Sequence, residues 1–137
     1  MKRISTMVVL AIVFLTATSS CKKTETPSAS LTGTWVKAGP TGSGINFQII
    51  MNDATKTTQI GYNTGSATSF VATGTGSYTR TDAQISLTST VTCPGTVGVY
   101  GFTANSTTLT MTLVSDACVD GSSTPRSSVV AGDWTRQ

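Results

Sequence analysis

The chain has 137 residues, which is enough for one domain. Only 11% of them are charged, histidine is absent and the formal net charge is +3. Basic and acidic side chains balance from Leu31 onwards, so no basic surface predicts nucleic-acid binding. Because histidine is the commonest general base and metal ligand, we expect no catalytic residues, no metal site and no cofactor.

Residues 1–20 have the organisation of a secretory signal peptide. Lys2 and Arg3 supply the positive start, and residues 7–15 form an uninterrupted apolar run. Small residues follow up to Cys21. The apolar run is too short for a membrane-spanning helix, which needs about 20 residues. The pattern predicts export from the cytoplasm.

A cysteine directly after such small residues resembles the processing site of bacterial lipoproteins, in which that cysteine is acylated and becomes N-terminal. The resemblance implies a lipid on Cys21, and Lys22 after it is similar to lipoproteins of the outer membrane, facing either the periplasm or the outside. Residues 21–30 are polar and small, which predicts a flexible tether. Cleavage near residues 17–19 without lipidation is the alternative, and it would leave a soluble secreted protein.

The chain contains three cysteines. If Cys21 carries a lipid, Cys93 and Cys118 remain as an even pair, and outside the cytoplasm they can form a disulfide. Two buried free thiols are the alternative. A disulfide that closes a loop of this size stabilises a fold by roughly 3–4 kcal/mol.

From Leu31 onwards the chain is rich in Thr, Ser, Gly and β-branched residues, which favours strands over helices. Apolar and polar residues alternate, most clearly where Leu109, Met111 and Leu113 are separated by threonines. Turn residues divide the chain into segments. The pattern predicts eight strands, near residues 33–39, 45–51, 57–62, 69–80, 84–92, 97–104, 107–115 and 126–135.

Eight short strands with short connections predict an all-β, antiparallel up-and-down barrel over residues 31–137, because closure removes exposed sheet edges. In such a barrel the fifth and seventh strands end at the same rim, which places Cys93 and Cys118 at one end. At the other end, closure would bring Trp35 and Trp134 together as the base, with Arg136 over an indole ring.

Several short motifs occur in an informative order. Leu31-Thr32-Gly33-Thr34-Trp35 comes first. It is followed by Cys93, Gly98-Val99-Tyr100, Leu109-Thr110-Met111, Asp116-Ala117-Cys118, Arg126 and Gly132-Asp133-Trp134. This order resembles lipocalin-like (calycin-type) proteins, specifically the small lipocalin-like lipoproteins of Bacteroidota. The resemblance implies an eight-stranded barrel that binds a small molecule.

The interior of an eight-stranded barrel is either filled by side chains or holds one small ligand. The candidate ligand-binding residues are Phe47, Tyr62, Tyr100, Phe102 and Arg126. Core packing is the alternative for the four aromatic residues. The arginine could meet an anionic ligand group, or it could pair with a neighbouring aspartate of the same rim, Asp116 or Asp120.

We therefore expect a monomeric, lipid-anchored envelope protein without enzymatic activity that binds a small hydrophobic or amphipathic ligand. The alternative is a structural or interaction module with a filled core that acts through its loops on envelope components, glycans or host proteins. A void open at the Cys93 and Cys118 end would discriminate between the two. A hydrolase would require Asp116 and Asp120 to converge in a cleft.

Overall fold

A computed structural model describes residues 29–64 and 70–137 of the chain. The predicted signal peptide, the predicted lipid site at Cys21 and the tether up to residue 28 lie outside the described residues. Among the described residues, no helix has the length and apolarity needed to cross a bilayer.

The described chain forms eight strands and one short helix. They are β1 (Gly33–Ala38), β2 (Ile45–Asn52), β3 (Thr57–Thr64), β4 (Phe70–Arg80), β5 (Gln84–Ser89), β6 (Val97–Ala104), β7 (Thr108–Ser115), α1 (Arg126–Val130) and β8 (Gly132–Arg136). Each strand pairs antiparallel with the next, and β1 pairs with β8, so the sheet closes into a barrel. The prediction of an all-β, eight-stranded up-and-down barrel is confirmed.

Two predicted strand boundaries are wrong. The segment predicted as a strand over 126–135 begins with helix α1, because Pro125 fixes the chain for a helical turn and its carbonyl accepts from the Ser128 amide at 3.0 Å. The fifth strand ends at Ser89 instead of residue 92, because the Ser89 hydroxyl accepts the amides of Val91 and Thr92 and so stabilises a turn.

The barrel has two different ends. We call "mouth" the end that carries residues 39–44, 90–96 and 116–125, and "base" the end that carries residues 53–56, 81–83 and 105–107. Buried apolar side chains fill the barrel towards the base. They include Leu31, Trp35, Ile49, Met51, Tyr78, Ile85, Leu87, Leu109, Met111 and Trp134.

The segment before β1 lies against the base. Arg80 Nη1 donates to the carbonyl of Ala29 at 3.0 Å, and Arg136 Nη2 donates to that of Ser30 at 2.6 Å. The Leu31 side chain is fully buried in the core. The described chain therefore enters the barrel at the base, and the last two residues of the predicted tether are bound to it.

Asp53 is the centre of a polar network at the base. Its carboxylate accepts from the Leu31 amide at 2.7 Å and from the Tyr78 hydroxyl at 2.9 Å, and it pairs with Lys56 at 3.1 Å and Arg80 at 3.3 Å. Burial alone would raise the pKa of Asp53, but these hydrogen bonds and charges outweigh it and hold the pKa at about 2. The carboxylate therefore binds the entering segment to β4 in its charged form.

Strands β1 and β8 begin in the same way. The Trp35 indole Nε1 donates to the Leu31 carbonyl at 2.9 Å, and the Trp134 indole Nε1 donates to the Val130 carbonyl at 3.0 Å. Two residues before each tryptophan stands a glycine with a positive φ, which is +142° at Gly33 and +122° at Gly132. The two segments share the pattern apolar-x-Gly-x-Trp, and both indoles lie in the core.

Candidate functional site

A cavity of about 560 Å³ opens at the mouth of the barrel. One wall consists of inward side chains of β2 and β3: Ile45, Phe47, Ile60 and Tyr62. These side chains lie side by side on the same face of the sheet, because Phe47 is paired with Tyr62 and Ile49 with Ile60. Met51 and Ile49 of the same inward row are buried, whereas Phe47 and Ile45 are only partly buried. The row thus passes from a filled core into an open cavity.

A second part of the lining, the polar wall, carries hydroxyl groups. They come from Thr73, Ser89, Thr92, Ser122, Thr124 and Ser128. Most of their hydrogens are donated within the protein. Thr73 donates to the Ile60 carbonyl at 3.2 Å, Thr92 donates to the Thr73 carbonyl at 3.1 Å, and Ser128 donates to the Pro125 carbonyl at 2.7 Å. This wall therefore offers a ligand mainly hydrogen-bond acceptors.

Arg126 lies at this polar wall with only 7% of its surface exposed. Its Nε donates to Asp116 Oδ2 at 2.7 Å and its Nη2 donates to Asp116 Oδ1 at 2.9 Å. Nη2 also donates to the Thr96 carbonyl at 3.2 Å. Arg126 Nη1 is buried and has no hydrogen-bond partner among the described residues.

Two further donors hold Asp116 in place. The Tyr100 hydroxyl donates to its Oδ2, and the Cys118 amide donates to its Oδ1 at 2.9 Å. Burial alone would raise the pKa of Asp116, but the bonds from Arg126 and Tyr100 lower it below the ordinary value. Burial together with the carboxylate raises the pKa of Tyr100. The group is therefore an ion pair in which Tyr100 stays protonated.

Gly98 leaves room for this network, and a disulfide holds it in place. A Cβ at Gly98 would lie 2.5 Å from Asp116 Oδ2 and 2.7 Å from Arg126 Nη2, so only glycine fits without a shift. Cys93 and Cys118 form a disulfide across two mouth segments, with Cα atoms 5.6 Å apart. The predicted disulfide is confirmed, and it fixes Cys118, whose amide binds Asp116.

The structure separates the candidate ligand-binding residues into two groups. Phe47, Tyr62 and Arg126 line the cavity. Tyr100 and Phe102 are packed in the core and are not among the described lining residues, because β6 faces the filled side of the barrel. Arg126 pairs with Asp116 and not with Asp120.

The hydroxyl wall was not expected from the sequence. A signal for it was present in β5, where Ser89 interrupts the inward row of Ile85 and Leu87. Both of these residues are buried in the core, whereas Ser89 lines the cavity two residues nearer the mouth. A polar residue at the open end of an apolar inward row thus marks where the core stops.

Asp116 and Asp120 bind different partners. The Asp116 side chain is buried against Arg126, whereas Asp120 is only partly buried and accepts from the amides of Ser122 and Thr124 at 2.9 and 2.8 Å. In residues 29–64 and 70–137, no three side chains of His, Cys, Asp or Glu converge as a metal site would require. The arrangement of the mouth suits binding of an organic molecule by shape and hydrogen bonds.

In comparisons with known proteins, no family model, no curated protein and no solved structure matches this chain.

Proposed function

We propose that this protein is a lipid-anchored protein of the bacterial envelope, similar to lipocalin-like proteins, whose barrel binds one small hydrophobic or amphipathic ligand. The observation that carries the proposal is the cavity of about 560 Å³ at the mouth, which has one apolar and one polar wall. Sites for small molecules typically enclose roughly 300–1,000 Å³ and combine apolar surface with a few polar groups. The cavity has both properties.

The position of the cavity favours ligand binding over a filled core. Large buried side chains, including both tryptophans, fill the barrel towards the base. Nearer the mouth, Gly61 and Gly74 are among the residues that line the void. The void lies at the end of the barrel that carries the disulfide, where the binding hypothesis requires it.

Anchoring through Cys21 would orient the barrel. The chain enters at the base, where Arg80 and Arg136 bind the carbonyls of residues 29 and 30. The segment from residue 21 to residue 29 can span at most about 28 Å. With a lipid on Cys21, the base would lie nearer the membrane and the mouth would face the aqueous phase. The ligand would then be exchanged with that phase.

Two substitutions on β3 test the binding site. Ile60 points into the cavity, whereas the preceding residue, Gln59, is exposed on the outer face. Ile60→Trp would fill the void, and Gln59→Trp adds the same bulk outside it. We expect the neutral fluorophore N-phenylnaphthylamine to bind the wild type and Gln59→Trp, and to lose most of its affinity for Ile60→Trp. Equal binding by both variants would remove the cavity as the site.

Native mass spectrometry of protein purified from its own envelope addresses the natural ligand. A bound small molecule that is absent from Ile60→Trp supports the proposal, and wild type without any adduct weighs against it.

Metabolic labelling with a fatty acid tests the anchor. Label in wild type but not in Cys21→Ser supports lipidation, and equal label in both refutes it.

Interaction through the mouth loops is a second candidate, favoured by a group of exposed apolar side chains there. They are Val91, Val97, Leu113, Val114 and Val119. A photo-crosslinking residue placed at Val91 would capture a partner in intact cells, whereas one at Gln59 would not. Identical crosslinks from both positions would count against a mouth-specific partner.

A further inference from the structure

The polar wall of the mouth cavity carries side chains that accept hydrogen bonds. The hydroxyls of Thr73, Thr92 and Ser128 donate their hydrogens to carbonyl groups of the protein. The Ser89 hydroxyl donates to the Thr75 carbonyl at 3.4 Å. A hydroxyl has one hydrogen and two acceptor positions, so a group that has donated inside the protein can only accept from a ligand.

The other two hydroxyls of this wall form a chain that ends at Asp120. The Ser122 hydroxyl donates to Asp120 Oδ1 at 2.7 Å. Because this bond uses the single hydrogen of Ser122, the Thr124 hydroxyl is the donor in the 3.2 Å contact between the two hydroxyls. The amides of both residues also donate to Oδ1. Among the described residues no group donates to Asp120 Oδ2, so this oxygen keeps its capacity to accept.

Arg126 does not change this balance, although it lines the cavity. Its Nε and Nη2 donate to Asp116, which also balances its charge, and its Nη1 is buried. Asp120 has no cation within ion-pair distance in the part of the chain that the structure describes. Hydrogen bonds from Ser122 and Thr124 lower the pKa of Asp120, so it is ionised at neutral pH. The uncompensated charge of the lining is therefore negative, which disfavours an anionic ligand.

We infer that the ligand is an apolar chain that ends in a hydrogen-bond donor, a hydroxyl or an ammonium group. The donor binds Asp120 and the hydroxyls beside it, and the chain packs against Phe47 and Ile60. An ether, ester or carboxylate head would lose its hydrogen bonds to water and find only acceptors on this wall. The inference rests on the proposed function, since it assumes that the mouth cavity is the binding site. It replaces the anionic group that the sequence suggested for Arg126.

Competition against N-phenylnaphthylamine tests the inference on the wild-type protein. The competitors are decanol, its isomer methyl nonyl ether, decylammonium and decanoate, all at neutral pH. The ether has no donor and is the more apolar isomer, so burial of apolar surface alone would favour it. We expect decanol to bind about fivefold more tightly than the ether, because it gains one hydrogen bond. Decylammonium should also exceed the ether, and decanoate should bind most weakly of the four.

A matched pair of variants tests the place of the donor. Asp120→Asn keeps Oδ1 for the amides of the turn and replaces Oδ2 by an amide nitrogen. We expect this variant to lose the advantage of decanol over the ether and to bind decanoate several-fold better. Asp133→Asn makes the same charge change on the exposed outer face of β8, where Asp133 accepts from Thr110 at 2.8 Å. It should leave all four affinities unchanged.

The results separate the two proposals. If the fluorophore does not bind, the proposed function fails. If it binds but the ether equals decanol, or decanoate binds best, only the inference about the ligand fails. An advantage of decanol that persists in Asp120→Asn also overturns the inference. The comparison of decylammonium with decanol then shows which of the two donor groups the site prefers, and the ligand series on the wild type requires no variant to fold.

Discussion

Arg136, near the end of β8, lies over the indole of Trp35 in β1, with its guanidinium carbon 4.3 Å from the ring centroid. The reverse contact is also present, because Lys37 of β1 lies over the Trp134 ring of β8 at 4.9 Å. Each cation also binds the segment before the opposite strand. Arg136 donates to the Thr32 carbonyl at 3.0 Å, and Lys37 donates to the Ala131 carbonyl. These crossed contacts support a seam in which only two residue pairs are in register.

Removal of one crossed contact should weaken the closure of the barrel. We expect Arg136→Ala to lower the free energy of unfolding by about 1–2 kcal/mol, since it removes a cation–π contact and two hydrogen bonds to carbonyls. Arg136→Lys keeps the cation but loses the fork of donors, so its loss should be smaller. Urea unfolding of the two variants measures both values. An Arg136→Ala variant as stable as the wild type would show that the contact does not support the seam.

Substitution of Gly98 should damage the mouth network. Gly98→Ala places a Cβ against both Asp116 and Arg126, and we expect a loss of about 1–3 kcal/mol in unfolding free energy from overpacking. Gly121→Ala is the matched control, since a Cβ there meets no atom of the described residues within 4 Å. Thermal unfolding of both variants tests the prediction. Equal stability of the two would contradict the tight fit at Gly98.

The disulfide should contribute much of the stability of the domain. Reduction opens a loop of 25 residues between Cys93 and Cys118, for which the chain-entropy model predicts a loss of roughly 3–4 kcal/mol. Urea unfolding with and without a reductant measures the difference. In the double variant Cys93→Ala, Cys118→Ala, the free energy of unfolding should not change when the reductant is added. A wild type that is equally unresponsive would mean that the bond does not form.

Acid should weaken the base of the barrel through Asp53. Its pKa is about 2 in the folded protein and near 3.8 when unperturbed, so the folded state favours the charged form. The resulting stability is fully present above about pH 4 and is lost as the pH falls towards 2. We expect the stability difference between wild type and Asp53→Asn to shrink over this range in urea unfolding at a series of pH values. A constant difference would show that the charge of Asp53 is not involved.

The outline of the fold could be predicted because its signals are local. Alternation in β7 and the turn residues between strands act over a few positions, and they place six of the eight strands within two residues. Where the local pattern predicted the wrong structure, contacts with neighbouring residues account for the difference. Ser128, Val129 and Val130 have a composition typical of strands, but they follow Pro125 and Arg126 into a helical turn. The exposed Leu113 breaks its predicted alternation where the β6–β7 register shifts.

The residues of the mouth could be predicted only in part. Arg126 and Asp116 were recognised as neighbours of the same rim, and their pairing is a short-range consequence of charge. That Nη1 has no hydrogen-bond partner among the described residues could not be foreseen, because it depends on which guanidinium edge the buried carboxylate occupies. Lys37 was missed as a partner of Trp134 for a similar reason, since that contact exists only across the closed seam.

Strand number, the closed barrel and the pairing of Cys93 with Cys118 follow from alternation, turn residues and a count of cysteines. These features depend on properties that each residue has in its own short segment. The cavity and its polar wall were decided by the tertiary structure. The height at which the inward side chains stop filling the barrel depends on the register between strands. It also depends on the side chains that neighbouring strands place at the same height. The sequence of a single strand contains neither kind of information.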